Sequence, residues 1–162
     1  MNDKELQAFQ ESCLRAHNAY RSDHGCPELT WSVDLAKQAQ EWADRVAEKK
    51  YLQYSENPNV GESISLVDSE DQLTGEAVTE HWYAEGYGYD YKNPRWRKDS
   101  KRFSQLIWRN SHEVGVGVAH IPGTGKYVVV ANYKPPGNGN FPGEYRKNVP
   151  PPLHVKDIPI ED

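Results

Sequence analysis

Glu62 and Glu85 are the residues whose type and placement point most directly to chemistry, because each falls on the apolar face of the segment that carries it. In Val60-Gly61-Glu62-Ser63-Ile64-Ser65-Leu66, strand alternation sets Glu62 among Val60, Ile64 and Leu66. In the segment 75–85, Glu85 continues a helical stripe begun by Val78 and Trp82. A carboxylate buried alone is costly, so an inward acid requires a metal ion, a buried cation or a proton. The plainer alternative places both acids at the solvent edge of their elements. His81 and Glu85, four apart, have a spacing that suits a metal, although it also arises often by chance. His17, beside Asn18, reads as a hydrogen-bonded structural residue, and His24, His112, His120 and His154 show no ligand spacing. HExxH, GxSxG and CxxC are all missing from the sequence. Gly115 and Gly117 lie inside an apolar strand pattern, which signals close packing and not a phosphate loop.

The elements that must position these residues follow from periodicity and capping. A first helix is predicted from about Lys4 to Ser22, opened by an Asn2/Glu5 capping box and striped by Leu6, Phe9, Cys13, Ala16 and Tyr20. A second follows Trp31 with Ser32 as N-cap and Leu35, Ala39, Trp42, Ala43 and Val46 inward. A strand over 60–66 and a third helix over 75–85 carry the two acids. A short fourth helix from about Lys101, capped by Asp99 or Ser100, turns Phe103, Leu106, Ile107 and Asn110 inward. Strands over 114–118 and 127–133 complete the pattern. Seven of the 11 prolines fall at or beyond Pro135, so the end of the chain is predicted to be extended and to lack regular helix.

Length and composition bound the rest. The 162 residues suit one domain over 1–150 followed by a proline-rich tail over 151–162. Apolar residues make up 36%, a modest fraction that 5 Trp and 10 Tyr partly offset. A net charge of −5 argues against nucleic acid as a partner. The densest basic stretch, Arg95, Arg97, Lys98, Lys101 and Arg102, reads most simply as a solvated loop and helix start. Two cysteines form no disulfide framework, so a reducing compartment is expected. The opening MNDKELQAFQ has no signal-like apolar region, and Asn2 stands where N-myristoylation needs glycine. No run is long and apolar enough to span a bilayer.

Several motifs in order resemble one family. His17-Asn18-Ala19-Tyr20-Arg21, Leu29 and Gln40-Glu41-Trp42-Ala43 look like the opening of the CAP superfamily of cysteine-rich secretory, antigen 5 and pathogenesis-related proteins. Gly61-Glu62-Ser63-Ile64 resembles its GEN-type motif, with Ser63 in place of Asn, and Trp82-Tyr83-Ala84-Glu85 matches its WYxE helix. Segments 102–108 and 129–138 resemble its two signatures, and Ala131 stands where secreted members carry Cys. The likeness is greatest to the intracellular, Golgi-associated branch. It implies an α+β fold, a three-layer α-β-α sandwich around a mainly antiparallel sheet, with His17, Asn18, Arg21 and Asn132 as structural motif residues.

The resemblance also implies a cleft with two His and two Glu that in many members holds zinc or another divalent ion. Here Glu62 and Glu85 match the acids, while Tyr54 and Arg102 stand at the two His positions. Two carboxylates without nitrogen ligands are a poor zinc site, so no metal and no cofactor are expected. A guanidinium at 102 is expected to neutralise Glu62, Glu85 or both.

The expected function is accordingly that of a non-catalytic domain binding a protein or a lipid such as a sterol. Peripheral membrane association and homodimer formation are further expectations from the family. Tyr83, Tyr87, Tyr89, Tyr91 and Trp96 are candidates to line a binding groove, or else to pack the edge of the core. The competing classes are a metal-dependent or carboxylate-pair hydrolase, and a secreted allergen-like effector of extracellular location. The cysteine usage favours a cytoplasmic protein, peripheral to the Golgi or another membrane.

Overall fold

Helix α1 (Asp3–Asp23) starts on the predicted capping box: Asn2 accepts from the Glu5 amide, and the Glu5 carboxylate accepts from the Asn2 amide. In the computed structural model, which describes residues 1–153, a two-residue strand β1 (Thr30–Trp31) leads into α2 (Val33–Lys49), capped by Ser32. Then follow β2 (Gly61–Val67), α3 (Gly75–Ala84), α4 (Lys101–Ile107), β3 (Glu113–His120), β4 (Tyr127–Lys134) and a five-residue α5 (Glu144–Asn148). The four strands form one sheet in the order β1-β3-β4-β2, antiparallel except for the β1–β3 pair.

The sheet is covered on both faces, which makes three layers. Helix α2 lies on one face, where Ala39, Ala43, Val46 and Ala47 meet Ile64, Val128 and Val130. Its approach explains the strand glycines. A Cβ at Gly115 would lie 2.0 Å from the Ala36 nitrogen, and one at Gly117 would lie 2.5 Å from the Gln40 Cα. Helices α1, α3 and α4 cover the other face, with Phe9, Trp82, Phe103, Leu106 and Tyr133 in the core. Beyond β1 the free edge of β3 is closed by side chains. Gln10 donates to the Val116 carbonyl at 2.9 Å, and Gln40 donates to Val118 O at 2.7 Å while accepting from Val118 N at 3.0 Å.

Several sequence expectations change. The buried stripe of α1 is Phe9, Cys13, His17 and Arg21, while Ala16 and Tyr20 are only partly covered, so two polar residues point into the core. On β2 the small residues Ser63 and Ser65 are buried and Leu66 is exposed, because α1, α3 and α4 cover the face that the pattern assigns to solvent. Asn110 is exposed beyond the end of α4. Ser100 sits at the N-cap of α4 but makes no side-chain cap bond there. The proline-rich end contains helix α5 after all, because its prolines flank residues 144–148 and do not interrupt them. The proposed tail 151–162 lies mostly outside the described residues. Neither cysteine is in a disulfide, and among the described residues no helix is long and apolar enough to cross a membrane.

Candidate functional site

The cleft that the resemblance implies corresponds to the place where the end of α3, the start of α4, the edge strand β2 and the loop at 54–55 meet. Glu85 follows the last residue of α3, and Arg102 lies in the first turn of α4. One Glu85 oxygen accepts from the Arg102 backbone N–H at 3.0 Å, and the other takes its guanidinium Nε at 2.5 Å. Glu85 therefore satisfies one of the unpaired amides that open α4 and places negative charge at the positive end of the helix. Arg102 Nη1 donates to the Ile64 carbonyl of β2 at 3.0 Å, so a single side chain ties together three elements. The pair is largely withdrawn from water, with 12% of the Glu85 side chain and 28% of the Arg102 side chain exposed.

Glu62 has a different partner. Its carboxylate accepts from the Ser55 backbone N–H at 2.9 Å and makes a short hydrogen bond with the Ser55 hydroxyl. The expectation that Arg102 neutralises one or both acids thus holds for Glu85, and Glu62 is satisfied by a loop residue that no sequence signal marked. Tyr54 is half-buried, with the Lys101 ammonium 4.3 Å above its ring centroid, a cation–π contact. The donor set does not fit zinc. One carboxylate is engaged by a fixed guanidinium, no imidazole or thiolate of the described residues joins Glu62 and Glu85, and Lys101 adds further positive charge. Among the described residues, no group of three or more His, Cys, Asp or Glu side chains could hold a metal, so the His81/Glu85 spacing does not mature into a site.

The structural motif residues build the frame behind the cleft. His17 is fully buried. Its Nδ1 donates to the Cys13 carbonyl at 2.9 Å, which leaves Nε2 to accept from the Tyr133 hydroxyl at 2.7 Å. This bonding requires the neutral ring, and burial lowers its pKa from 6.5 to about 4. Burial also pushes the neighbouring Cys13 thiol up to about 12, which makes it inert. The Asn18 amide clamps Leu29, accepting from its N–H at 2.7 Å and donating to its carbonyl at 3.1 Å. Arg21 is fully buried and donates to the carbonyls of Pro27, Leu106, Trp108, Arg109 and Ser111, which fixes the chain on both sides of the α4 C-terminus. Asn132 is buried opposite Glu62 on β2 and Gly115 on β3, and its side-chain oxygen has no partner among the described residues.

The five aromatics do not form one groove. Tyr83 stacks on Tyr20 at 4.0 Å and packs edge-on against Phe103, and Tyr89 and Tyr91 pack with them. The Tyr83 hydroxyl donates to Nε2 of buried His24, whose Nδ1 donates to the Pro150 carbonyl, so this cluster also anchors the chain at Pro150. Tyr87 is exposed at the edge of the cluster, and Trp96 lies apart from it on a neighbouring loop. The packing alternative is therefore the outcome for Tyr83, Tyr89 and Tyr91, because their rings fill the space over Phe103 that a groove would need.

Comparison with known proteins agrees with this arrangement. The profile of the cysteine-rich secretory protein family, CAP, matches residues 14–133. Human Golgi-associated plant pathogenesis-related protein 1 is 33% identical over 153 residues, covering 94% of this chain and 99% of the relative. Pathogenesis-related protein 1A of Nicotiana tabacum is 36% identical over 135 residues, 82% of this chain and 78% of the relative. The solved structure of BmVAL-1 superposes with a TM-score of 0.66 at 20% identity, covering 86% of this chain and 81% of that one. The sandwich, the matched motifs and these relatives together establish that the chain belongs to the CAP family.

Proposed function

We propose that this chain is a non-catalytic CAP domain that binds a protein or lipid partner. The observation that carries this reading is the Arg102–Glu85 pair, in which an organic cation occupies one corner of the cleft and engages an acid that metal chemistry would need. The guanidinium is covalently part of the chain and cannot leave as a metal ion can. Glu62 is bonded to Ser55, and Glu85, the acid matched with it, is engaged by Arg102. Its location in this reading is cytoplasmic and peripheral to the Golgi or another internal membrane. The likeness to a human protein named as Golgi-associated and the two unpaired cysteines support that placement.

Calorimetric titration with zinc tests the reading. The protein is expected to show no stoichiometric binding, while the double variant Tyr54→His/Arg102→His gains a site because it restores two nitrogen ligands beside two carboxylates. Stoichiometric zinc on the unaltered protein, lost in Glu62→Gln/Glu85→Gln, would overturn the proposal and favour a metal-dependent hydrolase.

A further inference from the structure

The basic stretch of the sequence divides in the structure. Lys101 and Arg102 turn into the cleft, whereas Arg95, Arg97 and Lys98 remain exposed on the loop before α4. There they surround a shallow concavity of about 630 Å³ with Trp96 and Asp99. A second concavity of about 310 Å³ adjoins it and shares Arg95. Phe141, Tyr145 and Arg146, brought in by the chain around α5, line that one. The sequence separates residues 95–98 from 141–146 by more than forty positions, and only the fold joins them.

This surface combines two features seldom left open to water together. Trp96 is 46% exposed and Phe141 77%, although large aromatic side chains are strong contributors to burial. Around them stand Arg95, Arg97, Lys98 and Arg146, on a protein whose net charge is −5. Among the described residues, the only acid lining either concavity is Asp99, which faces Arg97 at 3.5 Å with both side chains well exposed, a weak pair that a competing carboxylate can replace.

We propose that the paired concavities dock an acidic segment of a partner protein, one that carries an aromatic or aliphatic anchor between carboxylates. The inference deepens the binding reading above, and rests on it, by naming the partner's chemistry and its seat. Charge complementarity selects the acid, because three of the four cations are arginines, whose forked donors match individual carboxylates. Trp and Arg are also the residues that most often dominate protein interfaces. The charge pattern selects a polypeptide over a bilayer: a membrane surface favours uniform positive charge around its anchors, whereas here Asp99 sits among the cations.

Fluorescence anisotropy of the full chain with a short labelled peptide of alternating glutamate and leucine tests this, alongside the same peptide with glutamine for glutamate. Arg95→Glu/Arg146→Glu is expected to weaken the acidic peptide about tenfold or more, with Trp96→Ala also weakening it. The glutamine peptide is expected not to bind. These side chains are exposed, so circular dichroism is expected to show intact folds. Equal affinity for both peptides, or no effect of the charge reversals, would overturn the proposal. So would sedimentation with phosphatidylserine vesicles that the same charge reversals abolish, since that would make the surface a lipid site. None of these results bears on zinc in the cleft, so the two proposals fail separately.

Discussion

Arg21 and Arg102 are both held inside this domain, but the structure satisfies them in opposite ways. Arg21 is sealed off from water and, among the described residues, faces no carboxylate; five backbone carbonyls surround its guanidinium. Arg102 is partly exposed and pairs with Glu85, using one further donor on a β2 carbonyl. The first arrangement spreads one charge over many dipoles that belong to the path of the chain, so the residue and the fold determine each other. The second is a single ion pair at a position where the resemblance implies metal ligands. The comparison separates an arginine that builds the frame from one that sets the chemistry of a site. Burial of Arg21 lowers its pKa to about 10, which still leaves it charged at neutral pH.

The sharpest way to break that comparison is to remove each arginine. Arg21→Ala is expected to cost at least ~3 kcal/mol, from a cavity together with several buried carbonyls left unsatisfied. Arg21→Lys should recover only a small part of this, because a single ammonium cannot reach carbonyl acceptors spread over 27, 106, 108, 109 and 111. Urea denaturation measures both, and a lysine variant as stable as the parent would show that charge alone matters there.

The frame also carries a pH signature. His17 is neutral in the fold, with a pKa near 4 against 6.5 when unfolded, so the unfolded chain takes up the proton first as pH falls. Stability is then fully present above about pH 6.5 and declines towards pH 4, by on the order of 3 kcal/mol. Burial shifts His24 in the same direction and adds to the slope. Stability measured at several pH values, with and without His17→Gln, checks this. An unchanged slope in the variant would assign the effect elsewhere.

The smallest expected effect belongs to the cleft. Arg102→Met should cost ~1–2 kcal/mol, since it strands a mostly buried carboxylate, while Glu85→Gln/Arg102→Met should restore part of the loss. A double-mutant cycle measures the coupling, which is expected to weaken with salt because Arg102 is partly exposed. A coupling as large as the loss at Arg21 would erase the distinction between frame and site.

Much of the fold is legible in residue types. Asn2 and Glu5, Ser32, and the glycines at 115 and 117 announce their roles, because caps and close backbone approaches accept few alternatives. The inward placement of His17 and Arg21 escapes periodicity, since a polar residue counts against a buried face until its partners are known. Ser55 is invisible for a related reason: its role depends on where the loop brings it beside Glu62.

By itself the sequence determines the order of the longer elements and the motifs of a CAP domain, a resemblance that sets Tyr54 and Arg102 where two histidines are implied. Tertiary structure alone decides that Arg102 chooses Glu85, that Glu62 turns to Ser55, and that residues 95–98 and 141–146 share one surface. The physical reason is that periodicity, capping and steric fit act over a few residues and leave a local trace. Ion pairing and surface complementarity act between atoms that only the completed packing brings together.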